Sequence, residues 1–444
     1  MAVHVLDRRG KPLMPCTEKR ARKLLEAGRA RVHRIVPFVI RLTDRAQDDC
    51  ELQPLRLKID PGSKTTGFAL VQDKAVAGKK TGEVPRAAAV IALLELTHRG
   101  RQISQALTAR RQMRRRRRNQ LRYRAPRFLN RGNQGKGWLP PSLQHRVDTT
   151  MAWVKRIQQW APITALSSEW VRFDTQALQS PEISGIEYQQ GTLFGYEVRE
   201  YLLQKWDRQC AYCKAKDVPL QIEHIHPKAR GGSNRISNLT LACACCNQEK
   251  VAQPVEDFLK GKPEALRRIQ AQAKRPLKDA AAVNATRWAL VNMLKATGLP
   301  LELSTGGRTK FNRQRLDVPK THALDAACVG DFTNIENWQR PTLQIKCMGR
   351  GSYQRTRLDK FGFPRGHLMR GKRVHGFQTG DLVQASVPTG KKAGVHKGRV
   401  AIRATGSFNI QTRQAVVQGI SHRYCRVIQR GDGYGYAMER FDSK

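Results

Sequence analysis

Four cysteines constrain the middle of this chain more than any other feature of its sequence. They form two CxxC knuckles about 30 residues apart, Cys210 with Cys213 and Cys243 with Cys246. Two knuckles at this spacing can close a tetrahedral structural zinc site, and clustered cysteines in a basic cytosolic chain favour metal over disulfides. Cys245 fits the knuckle spacing poorly, so we treat it as a bystander. The alternative is that these thiols are merely buried.

The charge of the chain indicates its class of partner. It carries 81 Lys and Arg residues against 36 Asp and Glu residues, a formal net charge of +45. This excess adds self-repulsion to a compact fold, so it indicates a large polyanion, nucleic acid before an anionic membrane. The longest apolar stretch, residues 87–96, is too short for a membrane helix of about 20 residues. The N-terminus lacks the pattern of a secretory signal, so we expect a cytoplasmic protein without membrane contact.

Arginine is concentrated in the segment "RRQMRRRRRNQLRYR" at 110–124, which contains nine arginines and no acid. Residues such as Met113 and Leu121 among the arginines favour a packed helix ending before Pro126, and the alternative is a disordered basic arm. Arginine makes bidentate contacts with phosphate, which fix register without reading sequence. The predicted nucleic-acid-binding residues are Arg110, Arg111, Arg114, Arg115, Arg116, Arg117, Arg118, Arg122 and Arg124.

Between the cysteine knuckles, "EHIHP" is followed by "GGSNRISNL" and then by "CN". Glu223 and Asn247 offer the oxygen ligands that Mg²⁺ prefers, and such an ion stabilises charge on a scissile phosphate. A histidine that titrates near neutrality, such as His224, is a suitable general base. The residues therefore indicate metal-dependent phosphodiester hydrolysis. The alternative is a zinc-ribbon binding module in which the histidine and asparagine are incidental.

Three acidic residues lie at the ends of two predicted strands and on one predicted helix, and these elements are far apart in the chain. Asp60 ends a strand before a Pro-Gly turn, and Glu169 ends a short strand in "ITALSSEW". The segment "THALDAAC" places His322 and Asp325 three residues apart, on one face of a helix. Each acid alone has an ordinary structural explanation, as a turn cap, a surface acid or half of a local helix pair.

Taken in order, these parts resemble the IscB family of transposon-encoded RNA-guided DNA nucleases and, more distantly, the single-protein CRISPR effector. The resemblance rests on "GKPLMP", "IDPGSKTTG", the arginine run, "EHIHP" with "CN", "HALDAAC" and the tail "GFQTGDLVQAS", and it covers essentially the whole chain. It implies an α/β multidomain fold. An RNase H-like (RuvC) core would be split by an Arg-rich bridge helix and by an inserted ββα-metal HNH module with the four-cysteine zinc site. A small basic β-barrel would stand at the C-terminus.

The resemblance divides the chain into seven segments. These are the PLMP N-terminal domain (1–50), RuvC-like segment I (51–95), the bridge-helix region (96–135), RuvC-like segment II (136–198), the HNH nuclease domain (199–260), RuvC-like segment III (261–340) and the basic C-terminal domain that contacts RNA and the flanking motif (341–444).

The resemblance also implies the roles of residues in a RuvC-like site. It makes Asp60, Glu169 and Asp325 ligands of two Mg²⁺ (or Mn²⁺) ions, which activate water and stabilise the leaving oxygen. His322 would position or deprotonate that water.

In the HNH site, the resemblance makes Glu223 and Asn247 the ligands of Mg²⁺ and His224 the base that deprotonates water. Asn238 would be a scaffold residue that helps to orient this base. His226 does not match the family's spacing.

The function implied is an RNA-guided double-strand DNA endonuclease, a protein monomer in a ribonucleoprotein in the prokaryotic cytoplasm. Its partners would be a guide RNA (omega RNA) and target DNA with a short flanking motif. The HNH site would cut the guide-paired strand and the RuvC-like site the displaced strand, while the arginine helix follows the guide RNA. Two alternatives are a protein-guided HNH endonuclease that needs no RNA and a non-catalytic RNA-binding protein.

Overall fold

A computed structural model describes residues 2–75, 86–119, 138–170, 194–273, 278–348, 356–359, 363–367, 371–412 and 414–439. The chain forms two compact units. The first contains Met1–Trp170 and Thr286–Lys444, and the second contains Val171–Ala285.

The elements have the following bounds. The strands are β1 (Val3–Leu6), β2 (Pro12–Cys16), β3 (Ala30–Arg34), β4 (Val39–Leu42), β5 (Leu55–Pro61), β6 (Thr65–Ala75), β7 (Arg86–Thr97), β8 (Ile163–Glu169), β9 (Leu220–His224), β10 (Leu239–Cys243), β11 (Leu301–Ser304), β12 (Asn334–Glu336), β13 (Thr342–Cys347), β14 (Thr356–Leu358), β15 (Pro364–His367), β16 (Arg373–Val374), β17 (Phe377–Gln378), β18 (Leu382–Val387), β19 (Gly394–Ala401), β20 (Ser407–Gln411), β21 (Val416–Ser421), β22 (Cys425–Gln429) and β23 (Tyr434–Glu439). The helices are α1 (Glu18–Glu26), α2 (Gly100–Asn119), α3 (Pro141–Trp160), α4 (Phe194–Lys205), α5 (Ala244–Lys250), α6 (Val255–Phe258), α7 (Pro263–Ala273), α8 (Lys278–Lys295), α9 (Gly306–Arg315) and α10 (His322–Ala327).

The N-terminal segment folds into a four-stranded sheet, ordered β2-β1-β4-β3, with α1 packed against it. The helix begins after Thr17, whose side chain accepts a hydrogen bond from the backbone N–H of Arg20. Gly28 follows the helix with a φ of +66°, a left-handed conformation that glycine adopts without steric cost. Thr17 and Gly28 therefore mark the two ends of α1.

A larger mixed sheet organises the first unit, in the order β11-β8-β5-β6-β7-β13-β23, and β12 also pairs with β7. Strands β5 and β6 form the predicted antiparallel hairpin, whereas β5 and β8 run parallel. Ile59 on β5 lies opposite Ser168 on β8. Because parallel strands keep their register, Asp60 and Glu169 come next along these two strands, at the same edge of the sheet.

The core of the first unit lies between this sheet and helices α3 and α8. Trp153 on α3 is fully buried and packs with Leu57, Ile59 and Phe68 of the central hairpin in one cluster. Burial of these apolar side chains stabilises the sheet by about 1.5–3 kcal/mol for each Leu, Ile or Phe side chain. The edge of the sheet that carries Asp60 and Glu169 is therefore held by a rigid core.

Helix α10 contacts the sheet through its backbone. A Cβ placed on Gly67 of β6 would lie 1.8 Å from the carbonyl oxygen of His322, so only glycine permits this approach. At the start of the helix, the Ala323 N–H donates to Glu95 Oε1 at 3.0 Å. At its end, Lys58 Nζ donates to the Ala327 carbonyl at 3.1 Å. An acid at the N-terminus and a cation at the C-terminus both complement the helix dipole.

The second unit contains a ββα arrangement. Strands β9 and β10 pair antiparallel, with Glu223 opposite Thr240 and His224 opposite Leu239, and α5 follows β10 directly. A cluster of buried apolar residues that includes Leu202 and Leu241 forms the core of this unit. The hairpin and helix predicted around the cysteine knuckles therefore have their own core.

The C-terminal region contains a five-stranded antiparallel sheet, ordered β21-β20-β19-β18-β22, around Val383, Phe408 and Ile410. The sequence predicted a small barrel here. The described strands form one antiparallel sheet whose edge strands β21 and β22 do not pair with each other, so the small, open barrel stays a prediction. None of the helices within the described ranges combines the length and the apolar character that a membrane span requires.

We expect Gly67→Ala to destabilise the first unit, because the added methyl group must push the backbone of α10 away from β6. Overpacking of this kind costs about 1–3 kcal/mol. Gly307→Ala on α9 is the matched control, since its nearest neighbour would be Thr305 Oγ1 at 3.8 Å. Urea unfolding should show a lower midpoint for Gly67→Ala and an unchanged or higher midpoint for the control. Equal midpoints for both variants would contradict the close contact.

Candidate active sites

The first candidate site lies at the edge of the large sheet. Asp60 ends β5, Glu169 ends β8, and Asp325 lies on α10. Burial, together with the charge of Asp60, raises the pKa of Glu169 from 4.5 to about 8 and the pKa of Asp325 from 3.8 to about 6. The structure thus brings the three predicted acids close enough to repel one another.

His322 is joined to this cluster by a hydrogen bond, with its Nδ1 2.8 Å from Asp60 Oδ2. Burial alone would lower the pKa of His322, but the hydrogen bond and charge of Asp60 overcome that effect and raise the pKa. The side chain is 40% exposed, so the other ring nitrogen remains accessible. Gly62 allows the ring to lie here, because a Cβ at that position would be 2.9 Å from His322 Cε1.

Helix α9 and the segment after it supply contacts that sequence reasoning missed. Arg313 Nε lies 3.0 Å from Asp325 Oδ1, and Lys320 Nζ lies 4.0 Å from Asp325 Oδ2. Thr309 hydrogen-bonds to the carboxylate of Glu169. The signal that could have found them is the basic run "RTKFNRQRLDVPK" directly before "HALDAAC".

The donor set of this cluster fits hard divalent cations, since it consists of carboxylate oxygens whose mutual repulsion a cation would relieve. Burial and the charge of Asp60 raise the pKa values of Glu169 and Asp325, whereas Arg313 and Lys320 act to lower the pKa of Asp325. Within the described part of the chain, only the four cysteines bring three or more ligand atoms within 4.8 Å of one another. The carboxylate oxygens are therefore spread more widely than the ligands of a single compact site.

The second candidate site lies on the ββα arrangement. Glu223 at the end of β9 forms an ion pair with Lys250 on α5, with Nζ 2.7 Å from Oε1. The Lys250 side chain is fully buried, and its Nζ also donates to the carbonyl of His224 at 2.8 Å. Sequence reasoning missed Lys250, although it stands one helical turn after Asn247 and so on the same face of α5. This ion pair fixes one oxygen of Glu223 and leaves the other available.

The remaining side chains of this site have defined partners. Asn247 Nδ2 donates to Gln221 Oε1 at 2.6 Å, which leaves Asn247 Oδ1 available to a cation. His224 Nε2 lies 2.9 Å from Asn234 Oδ1. The carboxylate oxygen of Glu223 on β9 and the amide oxygen of Asn247 on α5 therefore fit one hard divalent cation. The imidazole of His224 is the base beside it.

Asn238, which the resemblance makes a scaffold residue, contacts the backbone of the loop next to His224. Its hydrogen bonds go to the backbone N–H and carbonyl of His226 and to the carbonyl of Ser233, at 2.8, 3.0 and 2.8 Å. Asn238 therefore ties the loop between β9 and β10 together, which is a scaffold role. The amide that contacts the His224 ring belongs to Asn234, which the sequence did not single out.

The four predicted zinc ligands come together. The sulfur atoms of Cys210, Cys213, Cys243 and Cys246 all lie within 4.8 Å of one another. Burial alone would raise the pKa of Cys210, but hydrogen bonds from the surrounding backbone lower it to about 7, which favours the thiolate that binds metal. Cys245 is exposed and lies outside this group.

The arginine run is helical in its described part, α2, as predicted. Arg110, Arg111, Arg114, Arg115 and Arg116 are exposed along this helix. The side chains of Arg117 and Arg118 lie outside the described residues, as do Arg122, Tyr123 and Arg124.

Two protein families match stretches of the chain that contain some of these residues. Residues 3–191 match the family described as RRXRR protein, a stretch that includes Asp60, the arginine run and Glu169. Residues 210–253 match the family described as HNH endonuclease, a stretch that includes the four cysteines, Glu223, His224 and Asn247. The chain therefore resembles the RRXRR family over residues 3–191 and the HNH endonuclease family over residues 210–253. A comparison with curated proteins found no match.

Solved structures similar to this chain include two Cas9 proteins. Streptococcus thermophilus Cas9 in complex with the AGAA PAM is 11% identical, with 59% of this chain and 32% of that chain covered, at a TM-score of 0.22. The type II-C Cas9 enzyme from Actinomyces naeslundii is 17% identical, with 44% and 33% covered, at a TM-score of 0.15. This chain spans about a third of the length of those structures, and its identification rests on the family matches.

We expect one zinc ion per chain, lost in Cys246→Ser and retained in Cys245→Ser. The two positions are adjacent, but only Cys246 belongs to the sulfur cluster. Because structural zinc contributes directly to folding, Cys246→Ser should also lower the melting temperature of the second unit. Elemental analysis and thermal unfolding measure both effects. Loss of zinc from Cys245→Ser with retention in Cys246→Ser would assign the site to a different set of thiols.

We expect Glu169→Gln to stabilise the protein in magnesium-free buffer. The folded pKa of about 8 exceeds the ordinary 4.5, so the folded state holds a proton that the unfolded chain releases. Stability of the unsubstituted protein should therefore fall as the pH rises from about 4.5 to about 8. Melting temperatures across this range should fall less for Glu169→Gln, and Mg²⁺ should stabilise that variant less. Glu51→Gln, at an exposed acid, is the control; the same pH profile in both variants would contradict the raised pKa.

Proposed function

We propose that this chain is an RNA-guided double-strand DNA endonuclease with two separate hydrolytic sites. The observation that carries the proposal is the presence of two independent oxygen-donor sites, one in each unit, on a chain of net charge +45. A binding protein has no use for either site. Two sites of different construction are suited to the two antiparallel strands of a DNA duplex.

In the first unit, Asp60, Glu169 and Asp325 would hold two Mg²⁺ or Mn²⁺ ions in a RuvC-like site. Bound there, such ions activate water and stabilise the leaving oxygen. Asp60 holds His322 through Nδ1, so Nε2 of His322 is the atom that takes a proton from the attacking water. Segments 51–95, 136–198 and 261–340 would together form this RNase H-like core.

In the second unit, Glu223 and Asn247 would hold one Mg²⁺ ion in an HNH-type site. Bound there, the ion stabilises charge on the scissile phosphate. Lys250 fixes the carboxylate of Glu223, and Gln221 orients the amide of Asn247. His224 then accepts the proton of the attacking water.

The arginines of α2 would bind phosphates along a guide RNA. Their exposed guanidinium groups suit backbone contacts, which hold a nucleic acid without reading its sequence. The RNA would pair with one DNA strand, which the HNH-type site cuts, while the RuvC-like site cuts the displaced strand. The basic C-terminal sheet would contact the flanking motif, in a monomeric ribonucleoprotein of the prokaryotic cytoplasm.

The test is plasmid cleavage with Mg²⁺, using protein expressed with its native flanking DNA and purified with its nucleic acid. We expect double-strand cuts at sites that match the bound RNA and no cuts after RNase treatment. Asp60→Ala should nick only the guide-paired strand and His224→Ala only the displaced strand, because each change removes one site. Sequencing of the nicked products identifies the strand.

Two outcomes would contradict the proposal in different ways. Cleavage at a fixed site after RNase treatment would indicate an HNH enzyme that reads DNA through the protein. Loss of both cuts in either single variant, with DNA binding retained, would mean that the two sites do not act separately.

A further inference from the structure

We propose that Asn234 is a positioning residue of the HNH-type site, which fixes the His224 imidazole with its proton on Nε2. The observation is the contact between His224 Nε2 and Asn234 Oδ1 at 2.9 Å. The inference deepens the proposed function, because it takes His224 as the base, and no role was assigned to Asn234 from the sequence.

The path of the loop between β9 and β10 explains how Asn234 reaches the histidine. Gly231 has a φ of +85°, the left-handed conformation that turns the chain back. A Cβ on Gly232 would lie 1.9 Å from the carbonyl oxygen of His226, so the returning chain passes directly over the end of β9. The two glycines of "GGSN" therefore bring the following residues beside His224.

Asn238 then locks this returning chain in place. It bonds to both backbone groups of His226 and to the carbonyl of Ser233, the residue immediately before Asn234. The side-chain amide of Asn238 thus joins the two sides of the loop, and none of these hydrogen bonds involves Asn234. Asn234 itself is exposed, so its side chain has little packing role and its defined contact is with the imidazole.

The chemistry follows from the donor and acceptor inventory of the two side chains. A neutral imidazole has one N–H donor and one lone pair, and an amide oxygen can only accept a hydrogen bond. The Asn234 oxygen therefore holds the proton on Nε2 and leaves the lone pair on Nδ1. His224 Nδ1 becomes the nitrogen that takes the proton of the attacking water. Without Asn234, the ring would be free to rotate and to populate the other tautomer.

The test compares Asn234→Leu with Asn234→Asp in the Asp60→Ala background, in which only the HNH-type site acts. Leucine has a similar size but no acceptor, whereas aspartate places an oxygen at the same position. With RNA-loaded protein saturating a matched duplex, we expect Asn234→Leu to slow cleavage of the guide-paired strand about 10- to 100-fold. The Kd for DNA and the zinc content should be unchanged. Asn234→Asp should restore most of the rate.

A second readout does not depend on activity. In protein labelled with ¹⁵N-histidine, the His224 signal, assigned among the 11 histidines with His224→Ala, should show protonation at Nε2. Asn234→Leu should shift this signal toward a mixture of the two tautomers, and Asn234→Asp should not. This measurement remains informative even where the proposed function fails and no strand is cut.

Three results would overturn the inference. The first is an Asn234→Leu protein that cuts as fast as its parent, while His224→Ala abolishes the cut. The second is an Asn234→Asp protein as slow as Asn234→Leu. The third is loss of zinc or of folding in both Asn234→Leu and Asn234→Ala, which would make Asn234 a structural residue of the loop.

Discussion

The first candidate site depends on the contact between Gly67 of β6 and the backbone of His322 at the start of α10. Since a Cβ at position 67 would lie 1.8 Å from the His322 carbonyl oxygen, no other residue type lets the helix lie this close to the sheet. Glu95 and Lys58, on strands either side of β6, hold the two ends of the helix. The position of Asp325 is therefore set by backbone contact and by two charged side chains. It is not set by the acids themselves, which repel one another.

The two sites balance negative charge in different ways. In the first site, Arg313 and Lys320 face Asp325, while burial and the charge of Asp60 raise the pKa values of Glu169 and Asp325. In the second site, the buried Lys250 pairs with the one carboxylate, Glu223. Removal of one partner from a buried ion pair leaves an uncompensated charge, which makes such a pair a strong constraint on geometry.

Local patterns in the sequence mark where several elements end. Thr17 and Gly28 mark the ends of α1, and Asp60 and Glu169 lie at the carboxyl ends of their strands, where alternation of apolar residues stops. Sequence reasoning missed Arg313 and Asn234, because charge and amide groups in loops and on exposed helix faces are common and their partners are set by tertiary approach. The barrel in the C-terminal region stays a prediction, because short alternating strands look the same in a barrel and in an open sheet.

The scaffolds of the two sites differ in how much of the chain each requires. The acids of the first site come from β5, β8 and α10, so that site exists only when the large sheet and its core are complete. The residues of the second site lie on one hairpin, its loop and one short helix, beside the sulfur cluster at their base. A zinc ion held by the four sulfur atoms would add to the stability that the apolar core of this unit supplies. The hairpin can then keep a tight loop with two glycines and two ordering asparagines, which costs conformational entropy but fixes the imidazole.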